Sequence, residues 1–272
     1  MSKASERLRR RREAKKQLTE INKDRNNVVV IHYSCESFYN RLDGTSPRIT
    51  SIAVRNLATG QTGSFSIHQI AERNKKLPIE SINVHYDELE KKMIKEFYDY
   101  AEKHKNDTWL HWNMRDINYG FAALEHRYKV LGGKPFEIHE SCRCDLSLLL
   151  YRLYGHDYIE HPRLENLVEK NSLTHPNFLK GPDEAKAFEN SEYVKLHQST
   201  LCKVGIISYI ADRAVDTTLK TNAKLTGIYG NYFAFVMERT KENWFFALLG
   251  IIGLVLGIIG SVLSITSWFR GR

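Results

Sequence analysis

The spacing of apolar residues changes along this chain, and each change predicts a different element. Val28-Val29-Val30-Ile31 is a continuous β-branched run, so Asn27–His32 reads as a buried strand. Ile49–Asn56 gives a second strand. A turn through Ala58-Thr59-Gly60 leads to a third over Gly63–Ile67, which completes a hairpin. Tyr86–His104 switches to helical spacing, with Leu89, Met93, Phe97 and Tyr100 on one side. A short strand over Thr108–Trp112 follows, then a helix over Tyr119–Leu131 that stops at Gly132-Gly133. Phe136–His139 reads as a fifth strand. Helices are expected over Asp145–Tyr154, Arg163–Glu169, Asp183–Lys195 and Ser199–Thr217. Three strands in succession, then alternating helices and strands, predict an α/β fold: a mixed sheet with flanking helices.

The last change of pattern is the largest. From Asn243 to Phe269 no side chain is charged. A helix over that run is about 40 Å long at about 1.5 Å per residue, against a hydrocarbon core of about 30 Å. It is expected to be a transmembrane helix. Gly250, Gly253, Gly257, Gly260 and Ser264 recur at steps of three and four, which places them on one face. Gly253 and Gly257 form the GxxxG pair that lets helices approach closely in lipid. Self-association through this face and a plain anchor with incidental glycines are both consistent with it. Trp244, Phe245, Phe246, Trp268 and Phe269 stand at the ends, as interfacial aromatics do. With no apolar h-region at the N-terminus, the expected arrangement is single-pass, with the N-terminal domain cytosolic.

Charge modifies this picture at one end. The chain carries a formal +8, but residues 1–26 hold ten Lys/Arg against four Asp/Glu, and the remainder is nearly balanced. The excess belongs to a basic helix or arm built around Arg9-Arg10-Arg11-Arg12. It suits anionic lipid head groups, nucleic acid phosphates, or plain solvation. The expected organisation is therefore 1–26 basic segment, 27–223 α/β domain, 224–242 connector, 243–269 span and 270–272 tail. Four cysteines are too few for a disulfide framework. His139, Cys142 and Cys144 supply three zinc-type ligands with no fourth at the usual spacing.

The candidate chemistry lies between residues 27 and 195. Ser34-Cys35-Glu36-Ser37 follows the first strand. Ile49-Thr50-Ser51-Ile52-Ala53-Val54 precedes Thr59-Gly60 and Phe65. His111-Trp112-Asn113-Met114-Arg115-Asp116 runs into Tyr119-Gly120-Phe121. Asp145-Leu146-Ser147-Leu148-Leu149 and Leu164-Glu165-Asn166-Leu167 come next, and His175 precedes Asp183-Glu184-Ala185. This succession resembles the DEDD 3′–5′ exonucleases of the ribonuclease H-like fold.

The resemblance implies two divalent cations, Mg or Mn, held by carboxylates on either side of a reacting phosphate. It implies Glu36, Asp116 and Glu184 as metal ligands, with Asp183 and His175 completing the catalytic set, and Asp43 or Asp145 as stand-ins. The family's bridging Asp is replaced here by Ser34. Losing that carboxylate removes charge that offsets two dications, so an impaired domain is expected over an active enzyme. Trp112 and Arg115 are expected to contact nucleic acid, since a ring beside a cation suits stacking and phosphate pairing. The expected partners are membrane lipid, a nucleic acid or nucleotide, and further copies of the chain. The alternative is a sensor or effector whose span self-associates through its glycine face.

Overall fold

A computed structural model describes residues 3–36, 46–75, 77–231, 236, 248 and 252–258. Strands β1 (Val28–Cys35), β2 (Ile49–Asn56), β3 (Thr62–Ser66), β4 (Thr108–His111) and β5 (Arg143–Asp145) form one sheet in the order β3-β2-β1-β4-β5. β2 runs antiparallel to β1 and β3, while β4 is parallel to β1 and β5. The expected α/β class, a mixed five-stranded sheet with flanking helices, is what forms. β1 is buried throughout, as its unbroken apolar run requires of a central strand covered on both faces.

The pleat of β1 divides the core. Val29, Ile31, Tyr33 and Cys35 join one cluster with helix α3 (Tyr86–Lys103), through Leu89, Met93 and Phe97. Val28 and Val30 join a second cluster, with helices α5 (Leu146–Tyr154) and α8 (Tyr193–Val215). Helix α2 (Ile67–Lys75) follows β3 directly and buries Ile67, Ile70 and Ala71 at helical spacing. Apart from Ile67, expected to close the third strand, no element is expected from the sequence there. Helices α4 (Phe121–Val130), α6 (Arg163–Lys170), α7 (Gly181–Glu189) and α9 (Leu225–Tyr229) complete the domain.

Two expectations are corrected, and one left open between alternatives is resolved. Phe136–His139 is not a strand. The His139 side chain accepts a hydrogen bond from Ser141 N and turns the chain there. Arg143–Asp145 pairs with β4 instead. The helix expected over Asp183–Lys195 is two helices, because Ser191 adopts φ 59° and breaks the path between α7 and α8. The basic N-terminal segment is a helix, α1 (Lys3–Lys23), seated on the domain. Ala14, Leu18 and Ile21 bury themselves in the cluster that holds α5 and α8.

Most of the run 243–269 lies outside the described residues, including Trp244, Phe245, Phe246, Gly250, Gly260, Ser264, Trp268 and Phe269. Leu248 and 252–258 are helical and exposed there. A side chain added at Gly253 or Gly257 would meet no described atom within 4 Å. Among the described residues, no helix is long and apolar enough to cross a membrane.

Candidate functional site

β4 ends at His111, beside Ile31, while β1 runs on to Cys35. Trp112 and Asn113, just past the carboxyl end of β4, line a cavity on the side where α/β sheets bind ligands. Alternation along β1 turns His32 and Ser34 toward the α8 side. On α8, Ser199, Thr200 and Lys203 fall at helical spacing and meet them. Ser34 Oγ lies 2.8 Å from Thr200 Oγ1 and donates to Glu184 Oε1 at 3.2 Å. Ser199 Oγ donates to the same Glu184 oxygen at 2.9 Å. Lys203 Nζ stands 2.8 Å from Glu184 Oε2, and the two side chains are 8% and 4% exposed. Glu184 enters from the first turn of α7, where exposed N–H groups favour a negative charge.

His32 is buried beside this pair. The Tyr119 hydroxyl donates to Tyr33 O at 3.2 Å, which leaves its oxygen to accept from His32 Nδ1 at 3.0 Å. His32 Nε2 is buried without a hydrogen-bond partner. Burial, then the Lys203 charge, holds the His32 pKa well below its usual value, so the ring is neutral.

Asp145 organises the other wall. It closes β5, and its Oδ1 accepts from Leu148 N at 3.3 Å as the cap of α5. The same oxygen accepts from Asn113 N at 3.2 Å and holds that residue at φ 55° just past β4. Oδ2 lies 2.5 Å from Arg115 Nε, a charge contact without hydrogen-bond alignment. His111, the last residue of β4, accepts from Met114 N at Nδ1, so Nε2 carries its proton. Burial is the main cause that lowers its pKa to about 4.

Between these walls and α6 is a cavity of about 260 Å³ lined by Trp112, Asn113, Ser147, Arg163, Phe178 and Lys203 among others, with one carboxylate, Glu165. Lys203 Nζ lies 5.5 Å from the Phe178 ring centre. Arg163 stacks over Tyr158 at 5.5 Å, and its buried Nε has no hydrogen-bond partner. Two aromatic side chains, the Arg163 cation, the Glu184-paired Lys203 and the Glu165 carboxylate thus line a space of the size of a small planar group. No protein family, characterised protein or solved structure matches the chain.

The structure brings together some of the residues expected from sequence. Ser34 and Glu184 meet, and Trp112 lines the cavity. Arg115 is exposed and turned onto Asp145. Glu36 lies just past β1, half-buried, with its backbone N–H donating to Arg48 O at 2.8 Å. Asp116 is exposed, and its side chain accepts from Asn118 N at 2.8 Å. His175 is exposed and accepts from Asn177 N at 3.1 Å, and Asp183 is exposed in the first turn of α7. Asp43 lies outside the described residues. His139 is engaged with Ser141 and Cys142 with Lys105 O, which separates two of the three zinc-type residues.

Among the described residues, no three His, Cys, Asp or Glu side chains group as metal ligands. The donors present do not fit a pair of dications. Ser34, expected at the bridging position, offers only a hydroxyl, Glu184 is neutralised by Lys203, and Asp145 is neutralised by Arg115. Sequence reasoning missed Lys203. Its one signal is that Ser199, Thr200 and Lys203 interrupt a helix face that is otherwise apolar at Leu196, Val204, Ile207 and Ile210.

Proposed function

We propose that this is a membrane-anchored protein whose α/β domain keeps the layout of a ribonuclease H-like exonuclease. Its cleft binds nucleic acid or a nucleotide, and its metal chemistry is impaired. The Lys203–Glu184 pair carries this reading. An ammonium stands 2.8 Å from the acid that would face a metal, so the charge a dication would balance is already balanced. The strand order, with β2 alone running against the rest, is compatible with that layout. The uncharged run 243–269 supports the anchor. Trp112, Phe178, Arg163 and Lys203 supply the stacking faces and cations that a nucleotide needs.

The test uses the full chain in non-ionic detergent and fluorescein-labelled single-stranded DNA and RNA, followed by anisotropy and by gel. Binding is expected to persist in EDTA and to weaken severalfold in Trp112→Ala. Degradation that requires Mg²⁺ or Mn²⁺ and disappears in Glu184→Gln would replace this reading with an active nuclease. Absence of binding to both strands and to mononucleotides would refute it.

The glycine spacing favours a second reading, an effector that clusters through its span. Gly253 and Gly257 are helical and open to close approach. Gly253→Ile with Gly257→Ile should then abolish self-association in a membrane two-hybrid assay, and an unchanged signal refutes it.

A further inference from the structure

A second cavity, remote from the cleft, lies where the two ends of the described domain meet. It has a volume of about 330 Å³ between α1, α5, α8 and α9. Its polar side is made by Arg11, Lys15, Thr19 and Tyr229. Its floor is Leu18, Leu153, Ala214 and Val215. No described carboxylate lines it.

Arg11 is the unusual group. Its Nη2 donates weakly to Tyr229 Oη at 3.4 Å, and its guanidinium lies 4.9 Å from that ring's centre. Its Nε and Nη1 are buried with no hydrogen-bond partner. Arg7, one turn away, donates from Nε to Gly227 O at 2.9 Å and from Nη1 to Arg152 O. Its Nη2 is also buried without a partner. Burial, then the neighbouring Arg11, lowers the Arg7 pKa. Two guanidinium groups thus sit together, partly desolvated, with carbonyls and a hydroxyl for company and no described acid. Buried N–H groups without acceptors are costly, and two like charges add to that cost. An anion would relieve both, since Nε and Nη1 of Arg11, on different edges of the guanidinium, each offer a charged donor to a phosphate oxygen.

The geometry points to a binding site for a phosphate headgroup carrying apolar chains, that is, an anionic phospholipid. The phosphate pairs with Arg11, and the first carbons of the chains lie over Leu18, Leu153 and Val215. The choice of lipid over free phosphate rests on that apolar floor and on the membrane reading of 243–269, which the chain reaches soon after α9. The anion site itself does not depend on that reading.

The experiment uses the full chain in non-ionic detergent and isothermal titration with water-soluble dihexanoyl phosphatidic acid. The comparison arms are dihexanoyl phosphatidylcholine and inorganic phosphate. Phosphatidic acid is expected to bind with one-to-one stoichiometry, at least tenfold tighter than either comparison. Arg11→Gln should weaken it at least tenfold. Arg9→Gln should leave it unchanged, because Arg9 is exposed and paired with Glu13. Arg11→Lys keeps the charge and a good helix former but loses the fork, so it should bind severalfold more weakly even if Arg11→Gln fails to fold. Equal losses in Arg9→Gln and Arg11→Gln would show diffuse attraction to a basic helix and overturn the site. Inorganic phosphate binding as tightly as the lipid would overturn the lipid assignment. No preference for the anionic lipid would overturn the site altogether. The nucleic-acid reading of the cleft is untouched by any of these outcomes.

Discussion

The Lys203–Glu184 pair makes the sharpest demand on stability. At 2.8 Å the attraction between unit charges is about 6 kcal/mol for an effective dielectric constant of about 20. Desolvation of two buried side chains offsets much of that, so the pair's net contribution is small. Removing one partner is different. Lys203→Met keeps most of the volume and leaves Glu184 buried, with only the hydroxyls of Ser34 and Ser199 as partners. The expected loss is about 3–5 kcal/mol. Glu184→Gln in the Lys203→Met background removes the stranded charge and should restore stability to within about 1 kcal/mol of the native chain. Guanidinium unfolding followed by tryptophan fluorescence and far-UV circular dichroism gives all the corners of the cycle. A loss below about 1 kcal/mol in Lys203→Met, or a double variant no better than the single one, would refute the claim that a buried ammonium balances this acid.

Stability should also fall on acidification. His32, His111 and His197 are buried and neutral. Burial is the first cause in each case, and it lowers His111 and His197 to about 4. Below about pH 6.5 the unfolded chain takes up protons that the folded one refuses, so stability drops as pH falls, by up to roughly 4 kcal/mol per unit for three such groups. For His111 and His197 the loss levels off near pH 4, where the folded rings also protonate. Denaturation midpoints from pH 7 to 5 check the slope, which His111→Asn should reduce by about a third. Arg127→Met strands Glu90, which is fully buried and accepts from Arg127 Nε at 3.0 Å and from Ile49 N at 2.7 Å. It should cost about 3–5 kcal/mol in the same assay. Gly155→Ala places a methyl 2.5 Å from Gly227 O at a backbone φ of 99° and should lower stability by about 2–4 kcal/mol. A value near zero would mean α9 is not held against the end of α5.

The sheet was legible because its central strands are long and built from β-branched residues. Ile49–Asn56 matches its predicted bounds, and β1 differs by a residue at its start and a few at its end. β5 was misplaced because three residues carry no period. What defines Arg143–Asp145 is its parallel register with Trp109–His111, a long-range property no local pattern encodes. The helix break at Ser191 was hidden for a similar reason, since a single left-handed residue sits inside a continuous helical composition. In the site, the acids could be ordered along the chain but not assigned partners. Glu184 was visible as an acid, and Lys203 looked like one more surface cation. That Lys203 reaches Glu184 follows only from the way α7 and α8 pack against β1.

Charge pairing separates the two candidate sites by kind. Among the described residues of the α/β domain, the buried carboxylates find opposite charges: Glu90 with Arg127, Asp145 with Arg115, and Glu184 with Lys203. A cleft balanced internally in this way has little electrostatic reason to recruit a dication. Any ligand it takes must be held by stacking, by hydrogen bonds and by cations already partly committed. Arg7 and Arg11 differ in kind, being half-buried, adjacent, and without a described carboxylate. An arrangement that costs stability unless an anion arrives is one whose stability reports on that anion, because a ligand that binds only the folded form stabilises it. The same two arginines hold Gly227 and Tyr229 of α9, ahead of the apolar run. Occupancy of this cavity would therefore tighten the seat from which the C-terminal segment departs, while occupancy of the cleft would leave that seat unchanged.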